Sequence, residues 1–87
     1  MRRRQQFEAH AELRRVHREF SNRLTAAAGQ CKEAQDYVDG VIRTMDKEFA
    51  EAIHHPSKAA GTCRVWDQRM SLHRDAIRAI HERKTAP

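Results

Sequence analysis

Proline, glycine, cysteine and aromatic residues are all scarce in this chain of 87 residues, which has two prolines, three glycines, two cysteines and 6% aromatic residues. Few prolines and glycines leave long segments in which nothing interrupts a helix. Two cysteines are too few for a disulfide scaffold, so Cys31 and Cys63 are predicted to be reduced thiols. No apolar run approaches the roughly 18 residues that a membrane span needs, and no apolar signal segment follows the first residues. A cytoplasmic protein without membrane insertion is therefore expected.

Catalytic motifs are missing as well. The chain has no Gly-rich phosphate loop, no nucleophile elbow and no paired carboxylates on one face beside a pocket. Cys31 falls at an apolar position of the helical pattern, where a free cysteine packs as a small hydrophobe. A helical chain of this size also lacks the concave site that an enzyme needs. We therefore predict that the protein is not an enzyme and binds no cofactor.

Helix-forming residues dominate what is present, and the apolar residues among them repeat at helical spacing. Steps of three and four residues give a continuous seam along the first half of the chain, at His10, Leu13, His17, Phe20, Leu24, Ala27, Cys31, Ala34, Val38, Val41 and Met45. The last segment repeats this spacing at Trp66, Met70, His73, Ile77 and Ile80. No segment shows the alternation typical of a strand. The predicted fold class is all-α.

The predicted chain is a single helical domain over residues 1–87, with a helix over 4–54, a loop over 55–61 and a second helix over 62–84. Two interpretations of this division differ at Gly29. A break there gives a three-helix bundle, but the seam keeps its phase through Gly29 and no Ser, Asp, Asn or Pro nearby opens a new helix. We favour an antiparallel helical hairpin with a long first helix and keep the three-helix bundle as the alternative.

The hairpin interpretation determines the predicted function. A second helix of about 23 residues covers the first helix from roughly Cys31 to Ile53 and leaves the earlier part of the seam uncovered. An exposed apolar stripe of that length marks a surface for a partner. The predicted partner-binding residues are Leu13, Val16, Phe20, Leu24, Trp66 and Met70. We predict a protein–protein interaction subunit, an assembly adaptor or co-chaperone, which packs in coiled-coil fashion against a protein partner or a second copy.

The basic charge supports an alternative function. The net charge is +5 and the isoelectric point is about 9.9. A basic, helical, nucleic-acid-binding homo-oligomer would use the arginines of the first helix for phosphate contacts, namely Arg14, Arg15, Arg18 and Arg23. Acidic residues are interleaved with these arginines, and no helix-turn-helix spacing is visible. Nucleic-acid binding is therefore the second hypothesis.

Six histidines raise the question of a metal site or a pH response. None of them has the i,i+4 spacing or the Cys-x-x-Cys neighbour that makes a strong ligand signal, so no metal ligand is predicted. Cys31 followed by His54 and His55 on a small basic helical chain resembles the copper- and formaldehyde-sensing helical repressors, although position 59 is Ala where their pattern has a second Cys. This resemblance implies a metal-sensing helical regulator as a further alternative.

The segment 64–81 reads Arg-Val-Trp-Asp-Gln-Arg-Met-Ser-Leu-His-Arg-Asp-Ala-Ile-Arg-Ala-Ile-His. It resembles the last helix of the small type III secretion needle co-chaperones. The similarity is carried by residues near the two ends of that helix: Val65, Trp66, Ala76, Ile77, Ile80 and His81. The resemblance implies a short helical hairpin that pairs with a larger helical-repeat chaperone and keeps the needle subunit from polymerising early.

Overall fold

The structure is a computed structural model that describes the backbone of residues 2–85 and the side chains of residues 10–85. It contains three α-helices and one short 3-10 turn, in the order α1 (Arg2–Ala28), α2 (Lys32–His54), the turn Pro56–Lys58 and α3 (Ala59–Thr85). Each helix contacts both of the others, and the bundle measures 59 × 18 × 16 Å. The all-α fold class is confirmed.

The predicted helix over 4–54 is divided in two, because the chain turns back at Gly29. Gly29 has a φ of 58°, in the left-handed region that glycine adopts without steric cost. Two hydrogen bonds close the turn: the Cys31 N–H donates to the Ala28 carbonyl at 3.3 Å, and the Gln35 side-chain amide donates to the Gly29 carbonyl at 2.7 Å. The three-helix bundle is therefore the arrangement that forms, in place of the favoured hairpin.

Burial of the α1 seam explains why the chain turns back. Leu13 and Leu24 are 0% exposed and Phe20 is 7% exposed. Burying a side chain of this size stabilises the fold by about 2 kcal/mol. A few backbone hydrogen bonds lost at the turn cost about 1 kcal/mol each and are partly replaced. Tertiary packing therefore outweighs the local pattern, even though Cys31 offers α2 no side-chain cap.

The second connection is shorter than the predicted loop over 55–61. Pro56 opens a 3-10 turn, a position where its missing N–H is no loss. Ala59 follows with φ −57° and ψ −47°, and its side chain is 2% exposed, so it enters the core and begins α3. The predicted start of that helix at residue 62 was three residues late, because Ala59 and Ala60 are strong helix formers next to the core.

The core runs along the axis of the bundle and is apolar. Among the described side chains, none that is polar or charged is fully buried. The buried residues come from all three helices: Leu13, Val16, Phe20, Leu24 and Ala28 from α1, Ala34, Val38, Met45 and Ala52 from α2, and Ala59, Trp66, Met70, Ile77 and Ile80 from α3.

Candidate functional site

The residues predicted to bind a partner lie in the core of the single chain. Leu13, Val16, Phe20, Leu24, Trp66 and Met70 are all no more than 8% exposed. The prediction of an uncovered stripe is therefore wrong, because α3 and α2 together cover the seam of α1 that a hairpin would leave open. A partner surface has to lie elsewhere on the molecule.

An apolar groove of about 640 Å³ lies between α2 and α3. Its α2 side is formed by residues at helical spacing, namely Tyr37, Gly40, Val41, Thr44 and Glu48. Its α3 side is formed in the same way by Trp66, Arg69, Met70 and His73, and Phe20 of α1 reaches the floor. The volume is within the range of ligand-binding clefts, roughly 300–1,000 Å³.

Gly40 keeps this groove open on its α2 side. A Cβ atom built at Gly40 would meet no heavy atom within 4 Å, apart from its chain neighbours and its own helix backbone. A glycine inside a helix lowers stability by about 0.5–1 kcal/mol relative to alanine. No neighbouring element approaches closely enough to require glycine here, so its effect in the fold is to leave space in the groove.

A hydrogen bond between Tyr37 and His73 forms one end of the groove, with 2.8 Å between the hydroxyl oxygen and Nδ1. The two rings lie 5.8 Å apart at an interplanar angle of 63°. Partial burial lowers the pKa of His73, and the charge of Arg69 lowers it further. The imidazole is thus neutral near pH 7, and we assign the phenol as the donor to Nδ1.

Glu48 forms the other end of the groove. Its carboxylate accepts a hydrogen bond from Trp66 Nε1 at 3.2 Å and from Arg69 Nη1 at 2.9 and 3.0 Å. Trp66 is 2% exposed, so Glu48 supplies an acceptor for an indole N–H that is otherwise enclosed. Tyr37, His73, Glu48, Trp66 and Arg69 are therefore engaged in contacts that join α2 to α3. Two further polar residues of the lining are engaged within α2: Asp36 accepts from Lys32, and the Thr44 hydroxyl donates to the Gly40 carbonyl.

Leu72 lies on α3 near the residues that line the groove. It is 68% exposed, and among the described side chains it is the one large apolar residue that is exposed. Leu72 follows Arg69 by three residues in α3, and residues three apart lie on the same side of a helix. An exposed apolar side chain therefore lies next to Arg69 on α3, outside the residues that line the groove.

The histidines and cysteines do not assemble into a metal site. Within the described side chains, no three of His, Cys, Asp or Glu come together as metal ligands. Cys31 and His54 lie at opposite ends of α2, about 34 Å apart at 1.5 Å per residue. His17 instead contacts Asp46, with 2.7 Å between Nε2 and Oδ1, and packs against Phe49.

The arginines predicted to contact phosphate divide into two groups. Arg15 is paired with Glu12 and Glu19, and Arg23 is paired with Glu19 as well. Arg14 and Arg18 have no carboxylate within 4 Å among the described side chains, and both line a shallow depression between α1 and α2. Within residues 10–85, two of the four arginines are therefore without a carboxylate partner.

No family model matches this chain, and neither the curated proteins nor the solved structures contain a significant match to it. Every helix within residues 2–85 is too short or too polar to span a membrane. Sequence reasoning missed the groove residues Tyr37, Gly40, Glu48 and Arg69. A glycine in the middle of α2, with Tyr37 three residues before it and Thr44 four residues after it, was the available signal.

Proposed function

We propose that this protein is a non-enzymatic, cytoplasmic protein-binding module that seats an amphipathic helix of a protein partner in the groove between α2 and α3. The observation that carries the proposal is the open space over Gly40, with an apolar floor that includes Phe20, Met45 and Met70. Grooves of this kind bind the apolar face of a helix through residues spaced by three and four.

The dimensions of the groove favour a helix. The stretch of α2 from Tyr37 to Glu48 is about 16 Å long at 1.5 Å per residue, or three helical turns. Two neighbouring helices form a groove that runs parallel to their axes, and a third helix can pack along it. An apolar side chain of the partner would fill the space over Gly40.

The charges on either side of the groove indicate the chemistry of the partner. Among the residues that line the groove, α2 contributes the acidic Asp36 and Glu48, whereas α3 contributes the basic Arg69. The α2 side is therefore acidic and the α3 side basic. A partner helix with basic residues on its α2-facing side and acidic residues on its α3-facing side is complementary to both.

An assembly adaptor or co-chaperone is the form of this function that we propose. The resemblance of residues 64–81 to the type III secretion needle co-chaperones makes the helix of a secreted, self-assembling subunit or of its larger chaperone a suitable occupant. Covering such a helix keeps its apolar face from pairing with other copies.

A peptide selection tests the proposed function. A display library of 18-residue amphipathic helices is selected on the wild-type protein and counter-selected on Gly40→Met, which fills the groove with a flexible apolar chain. Gly61→Met is the matched control, because a Cβ at Gly61 also meets nothing within 4 Å but lies outside the groove. We expect peptides that bind the wild type and Gly61→Met at least tenfold more tightly than Gly40→Met. Equal binding to all three proteins, or no enrichment, would overturn the proposal.

Binding of nucleic acid is the second candidate, and it is supported by Arg14 and Arg18. These two arginines lie one turn apart on α1 beside His17 and Asn22. If they contact phosphate, Arg14→Gln and Arg18→Gln each weaken binding and reduce its salt dependence, whereas Arg15→Gln changes little because Glu12 and Glu19 already engage that side chain. A gel-shift titration against salt measures this, and no binding at low salt would exclude it.

A further inference from the structure

We propose that this chain also forms a dimer by exchanging α1 between two copies, with α1 and α2 of each copy joined into one continuous helix. The partner is a second copy of the chain. The inference does not rest on the proposed function, since it depends on the turn at Gly29 and the apolar phase on either side of it.

The apolar positions on the two sides of the turn are in phase for a continuous helix. Leu24 and Val38 are 0% and 2% exposed and are 14 residues apart, and Phe20 and Ala34 are separated by the same interval. Fourteen residues are two heptads, so both pairs fall on one face when the chain continues as a helix. Two helices joined by a turn do not need their apolar faces to be in phase. Two long antiparallel helices that pair along their whole length do need one continuous apolar face.

The turn itself is short and weakly specified. It spans three residues, and Cys31 starts α2 without a side-chain cap. Opening would replace the bonds that close it, from the Cys31 N–H to Ala28 and from the Gln35 side chain to Gly29, with regular helical hydrogen bonds. Every core contact of α1 would be made again with the other copy, which is why exchange through a short hinge is a low-cost route to a dimer.

The contacts between α1 and α2 define where the two copies would meet. His17 lies opposite Asp46, 29 residues later, so the midpoint of the fold-back falls between Cys31 and Lys32. In the exchanged dimer the same pairing is made between copies, and the two-fold axis passes through this point. The two Cys31 side chains would then lie next to each other.

Exchange would also alter the groove between α2 and α3. Phe20 belongs to α1 and contributes to the groove floor, whereas the remaining lining residues belong to α2 and α3. The dimer would have two grooves, each containing Phe20 of the other copy. It would bind a divalent or repetitive target with avidity.

Two opposing substitutions in the turn test the proposal. Gly29→Ala penalises the left-handed φ of 58° in the closed form and favours the continuous helix, so the dimerisation constant should rise by about 100-fold or more. Cys31→Ser, added to Gly29→Ala, supplies a helix cap that only the closed form uses and should shift the equilibrium back toward monomer. Gly61→Ala, which changes helix propensity outside the turn, should leave the mass unchanged. Light scattering over a concentration series measures all three.

Spin labels distinguish exchange from side-by-side association. The background protein carries Gly29→Ala, Cys31→Ala and Cys63→Ala. Spin labels are attached at two introduced cysteines, Arg14→Cys and Ala50→Cys. The labelled protein is then diluted with unlabelled protein of the same background, so that most dimers contain one labelled chain. Arg14 lies beside Phe49 in the closed bundle, so its label is close to the one at position 50. The opened chain separates the labels by about 54 Å, because 36 residues rise 1.5 Å each. A Gly29→Ala protein that stays monomeric at millimolar concentration, or a dimer that retains the short distance, would overturn the proposal.

Discussion

The hydroxyl of Tyr37 lies 2.8 Å from Nδ1 of His73, and this contact joins α2 to α3 at one end of the groove. The bond is between a phenol and a neutral imidazole, because burial and the nearby Arg69 both lower the pKa of His73. Protonation of the ring would turn Nδ1 from an acceptor into a donor. The same step would bring a second positive charge close to Arg69, so this end of the groove is sensitive to pH.

We expect the contribution of His73 to the stability of the protein to fall as the pH decreases through the ordinary histidine pKa of 6.5. His73 in the unfolded chain takes up a proton near that pH, whereas the folded state resists protonation until a lower pH is reached. At His73 the unfolded state therefore binds more protons in this interval, and this residue lowers the free energy of unfolding as the pH decreases. Chemical denaturation between about pH 7.5 and about pH 5 measures the effect.

His73→Gln is the control for this prediction, because glutamine does not titrate and its side-chain carbonyl can still accept from the Tyr37 hydroxyl. The other five histidines are present in both proteins, so their contributions cancel in the difference. We expect the wild type to lose more stability than His73→Gln as the pH falls. Two parallel curves would show that His73 titrates normally in the fold.

Glu48 is predicted to stabilise the fold mainly through Trp66 and less through Arg69. Glu48→Ala leaves the enclosed indole N–H without its acceptor, and we expect a loss of about 1–3 kcal/mol in the free energy of unfolding. Glu48→Gln keeps a carbonyl oxygen and should cost clearly less. Arg69→Ala removes a side chain that is 43% exposed, and exposed ion pairs contribute about 0–1 kcal/mol. Urea titrations compare the three variants, and a larger loss for Arg69→Ala than for Glu48→Ala would contradict this order.

The fold class and most of the core were predictable from apolar spacing. Leu13, Phe20, Leu24, Val38 and Met45 were placed on one seam by steps of three and four residues, and all five are buried. Periodicity identifies which face of a helix is buried, because a side chain repeats its direction about every 3.6 residues. It does not identify which element covers that face.

The turn at Gly29 and the groove were not predictable in the same way. The apolar phase continues through Gly29, so the pattern fits one long helix and two packed helices equally well. The choice between them depends on whether α3 is long enough to cover α1 as well as α2, and its 27 residues equal those of α1. The groove depends on where Gly40 faces after packing, and this is fixed by contacts distant in sequence, such as Tyr37 with His73.

Leu24 and Leu72 are expected to respond in opposite ways to truncation. Leu24 is 0% exposed in the core, so Leu24→Ala should lower the free energy of unfolding by about 2–5 kcal/mol. Leu72 is 68% exposed beside the groove, so Leu72→Ala should change it by less than about 0.5 kcal/mol. Urea titrations with equal m-values test this pair. A stability change below about 1 kcal/mol for Leu24→Ala would mean that α1 is not packed as described.

Gly40→Ala and Gly61→Ala should both stabilise the protein, although only Gly40 lies in the groove. Each glycine is inside a helix, and a Cβ at either position meets no heavy atom within 4 Å outside its own helix. Alanine at such positions should add about 0.5–1 kcal/mol to the free energy of unfolding, and for a chain of this size about 4–8 °C per kcal/mol to Tm. Thermal unfolding measures the shift. If Gly40→Ala lowers Tm while Gly61→Ala raises it, a neighbouring side chain already occupies the space over Gly40, and the groove would be closed to a partner helix.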